Sequence, residues 1–102
     1  MIERERDFDL KMARPNLFQK LKKKRKEIDL IDQKLLTLLN QRLRTALEMG
    51  KIKKEMGRRV YDPKREKEIL ERLKSKNKGP LKKENLEEIF KTIMKVCRKS
   101  QI

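Results

Sequence analysis

The sequence contains no histidine and only one cysteine, Cys97. The lack of histidine removes the commonest general base and the commonest metal ligand. A single cysteine excludes a disulfide framework within the chain. The sequence therefore gives no basis for a disulfide-stabilised fold or for a site built on histidine, and we expect no metal.

Long apolar runs are also missing. No stretch approaches the ~20 apolar residues of a membrane-spanning helix, and the N-terminus lacks the apolar core of a secretion signal. We therefore expect a soluble cytoplasmic protein that does not span a membrane. Hydrophobic residues make up 35% of the 102 residues and aromatic residues only 4%, so narrow seams between helices bury them more economically than one wide core.

Charge, in contrast, is abundant. Charged residues make up 46% of the chain with both signs interspersed, which favours helices linked by salt bridges over a disordered polyelectrolyte. The many Lys, Arg and Glu residues, beside few Asn and Gln, are typical of a thermophile. The net charge of +15 indicates an acidic partner, which charge alone leaves open among nucleic acid, an anionic membrane surface and a small polyanion.

Residues 17–57 carry a heptad seam, the pattern of a long helix that packs along one face. Alternate steps of four and three residues give Leu21, Arg25, Ile28, Asp32, Leu35, Leu39, Arg42, Ala46, Met49, Lys53 and Met56. Four of these are charged, and a charge on a buried seam is costly unless it is paired or binds a ligand. Interhelical salt bridges from the three cations to Asp32 or Glu48 are the alternative to a bound ligand.

Turn and cap signals divide the chain into three helices. We expect residues 1–15 to form a weakly ordered leader, in which Met12 offers an alternative start, and residues 16–102 to form the domain. The first helix should begin at Pro15 and Asn16 and stop at Gly57. Asp62 and Pro63 should cap and begin a second helix that ends near Lys76, and Leu81 to Ser100 should form the third.

The predicted fold class is therefore all-α, with a three-helix protomer and one long N-terminal helix. A helix of ~40 residues is ~60 Å long, too long for two short helices to cover. Pairing two long helices solves this problem, so we predict an intertwined homodimer. The alternative is a monomeric bundle in which the long helix breaks near Gly50.

Five segments, taken together, resemble the all-helical type II chorismate mutase family. The resemblance extends over residues 17–101 and rests on the order and spacing of the segments, since each of them alone would be weak. They are Arg25-Lys-Glu-Ile-Asp-Leu-Ile-Asp32, Leu35-Leu-Thr-Leu-Leu-Asn-Gln-Arg42, Gly50-Lys-Ile-Lys53, Val60-Tyr-Asp-Pro-Lys-Arg-Glu66 and Ile69-Leu-Glu-Arg-Leu73. The resemblance implies an isomerase that converts chorismate to prephenate, toward phenylalanine and tyrosine, by a pericyclic rearrangement without a cofactor, and a homodimer with shared active sites.

The resemblance also implies a role for eight residues. Arg42 would hold a carboxylate of the dicarboxylate substrate, Arg25 would reach the same site from the other subunit, and Lys53 would contact a carboxylate and the ether oxygen. Gln101 would be the second donor to that oxygen. The substrate hydroxyl and the site wall would involve Asp62, through its backbone, with Arg65 and Glu66. Cys97 stands where the family form has a serine, and a thiol is the weaker donor.

The chemistry suits these residue types. Arginines grip carboxylates with fixed geometry, and donors placed around the ether oxygen stabilise the negative charge that grows there as the bond breaks. Two other functions stay open on the sequence. An isochorismate-pyruvate lyase would use the same scaffold and carboxylate clamps, whereas the scarcity of aromatics and the lack of a recognition motif disfavour a basic helical nucleic-acid-binding protein.

Overall fold

The computed structural model describes the backbone of residues 2–101 and the side chains of residues 16–101. Three α-helices make up the fold: α1 spans Ile2–Glu55, α2 spans Pro63–Lys76 and α3 spans Lys83–Ser100. The predicted all-α class with three helices is confirmed. Within the described part of the chain, no helix is both long and apolar enough to cross a membrane. The chain divides into two compact units, Met1–Leu38 and Leu39–Ile102, which are described separately.

Helix α1 begins earlier than predicted. It starts at Ile2, so the start expected at Pro15 and Asn16 is wrong. Proline lacks an N–H and so removes one donor from the helix, but this loss need not end the helix. The side chains of residues 1–15 lie outside the described part of the chain. The weakly ordered leader predicted for these residues therefore stays a prediction.

The other end of α1 follows the sequence. Helix α1 passes through Gly50 without a break, contrary to the alternative of a bundle broken there, and it ends at Glu55. Gly57 has φ of +69°, the left-handed conformation that glycine adopts most easily. The N–H of Arg58 donates to the Lys53 carbonyl at 2.8 Å and the N–H of Gly57 donates to the Lys54 carbonyl at 3.1 Å. This pair of bonds is a Schellman motif, which satisfies carbonyls at the helix end.

In the unit Met1–Leu38, the described side chains belong to α1 alone and form no core. Leu21 is 47% exposed, Ile28 55% and Leu35 51%. These are seam residues, and residues 16–38 include no buried apolar side chain. The apolar seam of this unit therefore faces solvent in a single chain.

The unit Leu39–Ile102 holds the core, which α1 shares with α2 and α3. The buried hydrophobic side chains are those of Ala46, Leu70, Leu86, Met94 and Cys97. Helix α2 begins as predicted, because the Asp62 side chain accepts from the Arg65 N–H at 3.1 Å and Pro63 occupies the first turn. A short connection, from Gly57 to Asp62, joins the C-terminal end of α1 to the start of α2.

Helix α3 begins at Lys83, two residues later than predicted. The loop before it explains the delay. The Asn77 side chain accepts from the Gly79 N–H at 3.0 Å and donates to the Leu81 carbonyl at 2.7 Å. Because Asn77 holds the carbonyl of Leu81, this residue belongs to the loop and not to the first turn of the helix.

An ion pair links α2 to α3. Lys74 Nζ donates to Glu87 Oε1 at 3.1 Å, and Lys91 Nζ lies 3.8 Å from the same oxygen. The hydrogen bond and charge of Lys74, with the charge of Lys91, hold the pKa of Glu87 below its ordinary value. A lowered folded-state pKa means that the pair stabilises the fold above the ordinary pKa of the carboxyl. This contribution is lost as the pH falls through the folded-state pKa.

Candidate active site

A cavity of about 220 Å³ lies within the unit Leu39–Ile102. The C-terminal part of α1, the start of α2 and the end of α3 surround it. Its lining residues are Arg42, Thr45, Ala46, Met49, Lys53, Val60, Asp62, Arg65, Glu66, Ile69, Met94, Cys97, Arg98 and Gln101. Sites for drug-sized ligands measure roughly 300–1,000 Å³, so this cavity suits a smaller and compact ligand.

The structure brings together seven of the eight residues singled out in the sequence. Those seven are Arg42, Lys53, Asp62, Arg65, Glu66, Cys97 and Gln101. Arg25 is the exception, because it lies in the unit Met1–Leu38 and does not line the cavity. The roles expected of all eight residues stay predictions.

Arg42 is anchored by the one cysteine. Its Nη1 donates to Cys97 Sγ at 3.1 Å, across the interface between α1 and α3. Cys97 is only 6% exposed. The bond to the thiol uses one of the five N–H groups of the Arg42 guanidinium, and the other four remain for other partners. Among residues 16–101 of the single chain, Arg42 has no carboxylate within ion-pair distance. The alternative of interhelical salt bridges with Asp32 or Glu48 stays open, because all three residues lie on α1.

Lys53 is held by the connection between α1 and α2. Its Nζ donates to the Val60 carbonyl at 2.9 Å. An ammonium group has three N–H donors, so two remain for a ligand. The Schellman motif at Gly57 turns the chain back toward α1, which brings the Val60 carbonyl to Lys53. Within the described chain, Lys53 also lacks a carboxylate partner.

Glu66 has a partner that the sequence analysis missed. Arg98 Nε lies 2.8 Å from Glu66 Oε2, and the Arg98 guanidinium lies 4.4 Å from the centre of the Tyr61 ring. The buried Nε has no hydrogen-bond partner among the described residues. Its N–H is therefore not directed at the carboxylate. The contact is therefore one between opposite charges, supported by a cation–π contact.

A signal for Arg98 was present in the sequence. Met94, Arg98 and Gln101 are spaced by four and three residues, which puts them on one face of α3. The sequence analysis named Cys97 and Gln101 on this helix but passed over Arg98. The pairing with Glu66 could not be inferred, because it depends on how α2 and α3 pack.

Gln101 closes the end of the cavity at the C-cap of α3. Its backbone N–H donates to the Arg98 carbonyl at 3.1 Å, and its side chain is half-buried. The side-chain oxygen Oε1 is buried and has no hydrogen-bond partner within the described chain. An unsatisfied buried carbonyl is unfavourable, so this position would gain from a ligand or a water that donates to it.

The charges that line the cavity favour an anion. Four cations and two carboxylates line it, which leaves an excess of two positive charges: Arg42, Lys53, Arg65 and Arg98 against Asp62 and Glu66. Among the residues that the structure describes, no three acidic or cysteine side chains lie close enough to hold a metal ion. The arrangement therefore suits a small ligand with two negative charges.

Comparison with known proteins gives a family match and a fold match. A family model for "Chorismate mutase type II" matches residues 24–102. The bifunctional chorismate mutase/prephenate dehydratase of Aquifex aeolicus is 39% identical over 83 residues, which cover 78% of this chain and 23% of that protein. The chorismate mutase of Methanocaldococcus jannaschii is 40% identical over 58 residues, covering 57% of this chain and 59% of that protein.

A solved structure is similar over most of the chain. Form II of the chorismate mutase from Thermus thermophilus has a TM-score of 0.79 and 36% identity, covering 80% of this chain and 93% of that one. The present chain spans only about a quarter of the length of the bifunctional relative. The similarity to that relative therefore concerns one part of it.

Proposed function

The chain belongs to the type II chorismate mutase family, and from this premise we propose that it catalyses the rearrangement of chorismate to prephenate. The observation that carries the proposal is the cavity with an excess of two positive charges, in which seven residues expected from the resemblance lie together. A substrate with two carboxylates complements this charge. The same activity would place the protein at the branch toward phenylalanine and tyrosine.

The first task of the site is to hold the substrate in a folded conformation. Arg42 would bind one carboxylate with the N–H groups that Cys97 leaves free, because a guanidinium matches a carboxylate in geometry. Arg25 of a second copy of the chain would bind the other. Asp62, Arg65 and Glu66 would form the wall around the substrate hydroxyl. Fixing a flexible reactant in a reactive conformation lowers the entropic part of the barrier.

The second task is to stabilise the transition state. As the bond between carbon and the ether oxygen breaks, negative charge grows on that oxygen. Lys53 and Gln101 would donate to it, and donors that strengthen as charge develops favour the transition state over the bound substrate. Enzymes at the low end of the range lower the barrier by ~8 kcal/mol, which a few preorganised donors can contribute. No proton transfer is needed, so the absence of histidine is no obstacle.

We also propose that the chain acts as a homodimer with shared sites. The exposed seam at Leu21, Ile28 and Leu35 supports this, because an apolar stripe of this length is unusual on the surface of a monomer. A second copy of α1 would cover it and would bring another Arg25 to the cavity. The cytoplasmic location and thermophilic source predicted from the sequence stay predictions.

The activity is tested by following chorismate in the presence of the purified chain and identifying the product. We expect chorismate to disappear and prephenate to form in equal amount, without added metal or cofactor. Isochorismate should be offered in parallel and pyruvate measured. Release of pyruvate without formation of prephenate would contradict the proposal and favour a lyase.

Cys97→Ser should be tolerated and should leave kcat/KM at or slightly above the wild-type value. A serine hydroxyl can accept from Arg42 as the thiol does, and it is a stronger donor toward a bound carboxylate. Steady-state kinetics and thermal unfolding of the variant check this. Cys97→Ala, which lacks an acceptor for Arg42, is the matched control and should be less active than Cys97→Ser. A Cys97→Ser variant that fails to fold would show that the position serves packing alone.

Gln101→Glu should make the activity depend on pH. The glutamine amide does not titrate, so the wild-type rate should be nearly flat between about pH 6 and 9. A glutamate carboxylate near the developing oxyanion would oppose it, whereas the protonated acid could donate. Because an unperturbed glutamate has a pKa of about 4.3, the rate of the variant should rise as the pH falls toward that value. Identical flat profiles for both proteins would remove Gln101 from the mechanism.

A further inference from the structure

We infer that Gly50 is a positioning residue for Gln101: its lack of a side chain lets α1 and the end of α3 approach closely enough to set where the Gln101 amide lies. The inference rests on the proposed function, because it gives Gly50 a part in that reaction. Gly50 does not line the cavity and would not touch the substrate.

Space, and not backbone conformation, explains the glycine. Gly50 lies inside α1, and positive φ is found only at Gly57 and Gly79 among the glycines. Every residue except proline can readily adopt the helical conformation of Gly50, and glycine is among the least favourable choices inside a helix. The position is buried. A glycine there weakens the helix, and what it provides is room against α3.

Gln101 occupies that room. A Cβ atom built on Gly50 would lie 3.0 Å from Gln101 Cγ, 3.2 Å from Gln101 Cβ and 3.2 Å from Gln101 Oε1. Carbon atoms in favourable contact are roughly 3.5–4.0 Å apart. An alanine would therefore push the Gln101 side chain away by several tenths of an ångström. The three close atoms span the Gln101 side chain from its root to its amide, so rotating the amide alone would not relieve the contact.

A small displacement matters more for catalysis than for folding. A donor to a developing oxyanion works through preorganised geometry, and a misplacement of about 1 Å can lower a rate by about 100-fold. The rest of the fold has less to lose, since alanine favours the helix at position 50 and α3 can shift at its C-cap. Gly50→Ala should thus lower the catalytic rate without lowering the stability of the fold.

The expected result for Gly50→Ala is a kcat lowered by about 10-fold, a KM within about twofold of wild type and an unchanged or raised melting temperature. Lys51→Ala, an exposed neighbour that does not line the cavity, is the control and should change none of these. Gly50→Ser should lower kcat at least as much as Gly50→Ala, because its side chain is larger.

A double-mutant cycle with Gln101→Ala tests whether Gly50 acts through Gln101. In the Gln101→Ala background the interfering Cγ and Oε1 atoms are gone, so Gly50→Ala should cause no further loss of kcat. A loss of equal size in both backgrounds would overturn the inference. So would a Gly50→Ala variant with wild-type kcat.

A measurement without substrate distinguishes this inference from the proposed function. The side-chain amide resonances of Gln101 in an NMR spectrum should move in Gly50→Ala and stay in place in Lys51→Ala. Unmoved resonances would overturn the packing of Gly50 against Gln101 whatever the activity. A wild-type chain that does not convert chorismate would overturn the proposed function even if the resonances move.

Discussion

Replacing Arg42 or Lys53 by alanine is expected to lower kcat/KM for chorismate by about 1,000-fold or more. A loss of this size corresponds to about 4 kcal/mol of transition-state stabilisation, which is within the range for removing one preorganised donor from a site. Lys53→Ala should act mainly on kcat, because the growing charge on the ether oxygen is largest in the transition state. Arg42→Ala should also raise KM, because it would remove the proposed clamp on a substrate carboxylate. Steady-state kinetics on both variants measure these effects.

Stability must be measured beside activity, because each side chain also has a partner in the fold. Arg42→Ala removes the donor to Cys97, and Lys53→Ala removes the donor to the Val60 carbonyl. Circular dichroism should show wild-type helicity for both variants. Lys54→Ala is a matched control, since Lys54 is an exposed neighbour outside the cavity. Near-wild-type turnover in either test variant would remove that residue from the mechanism.

Mixing two inactive variants, Arg25→Ala and Arg42→Ala, should restore about a quarter of the wild-type activity. In a homodimer with shared sites, each site takes Arg42 from one chain and Arg25 from the other. Random exchange makes about half of the dimers mixed, and each mixed dimer has one complete site and one site that lacks both arginines. Each variant alone should lose most of its activity, because all of its sites are incomplete.

The experiment works best if the two variants are unfolded together and refolded, so that chains exchange completely. Activity is then compared with the mean of the two variants refolded separately. Refolding Arg42→Ala with Lys53→Ala is the control, because both residues line the cavity of the same chain. Every mixed dimer of that pair has two damaged sites. An Arg25→Ala variant with wild-type activity, or a fully active monomer in light scattering, would contradict the shared site.

Local signals in the sequence predicted the start of α2 and the end of α1. Asp62 and Pro63 fix the start of α2 through one side-chain hydrogen bond and one constrained φ angle, and Gly57 fixes the end of α1. The start of α3 could not be found this way. Asn77 forms two hydrogen bonds to residues two and four positions ahead, and these decide that Leu81 belongs to the loop. The helix through Pro15 also follows from no local rule.

For the candidate site, the sequence predicted which residues take part but not how they contact one another. Its residues could be named from the sequence because the segments around Arg42, Lys53 and Glu66 keep the order and spacing of a family. The contacts between them could not, since the donation from Arg42 to Cys97 joins residues 55 positions apart and the Glu66 contact with Arg98 joins two helices. The role of Gly50 in packing against α3 could not be predicted from the sequence either. Its sequence context is an ordinary helix, and only the packing of α3 shows what the missing side chain leaves room for.

In the proposed homodimer, the exposed seam of α1 would make protein concentration a variable of the fold. If two chains must meet to bury Leu21, Ile28 and Leu35, folding and association become one equilibrium governed by mass action. Each tenfold dilution then removes about 1.4 kcal/mol from the stability of the dimer. The net charge of +15 on each chain opposes the encounter, and dissolved salt, by screening that repulsion, favours it. The number of complete sites in a solution would therefore rise with salt and with the amount of protein, although no residue of the cavity changes.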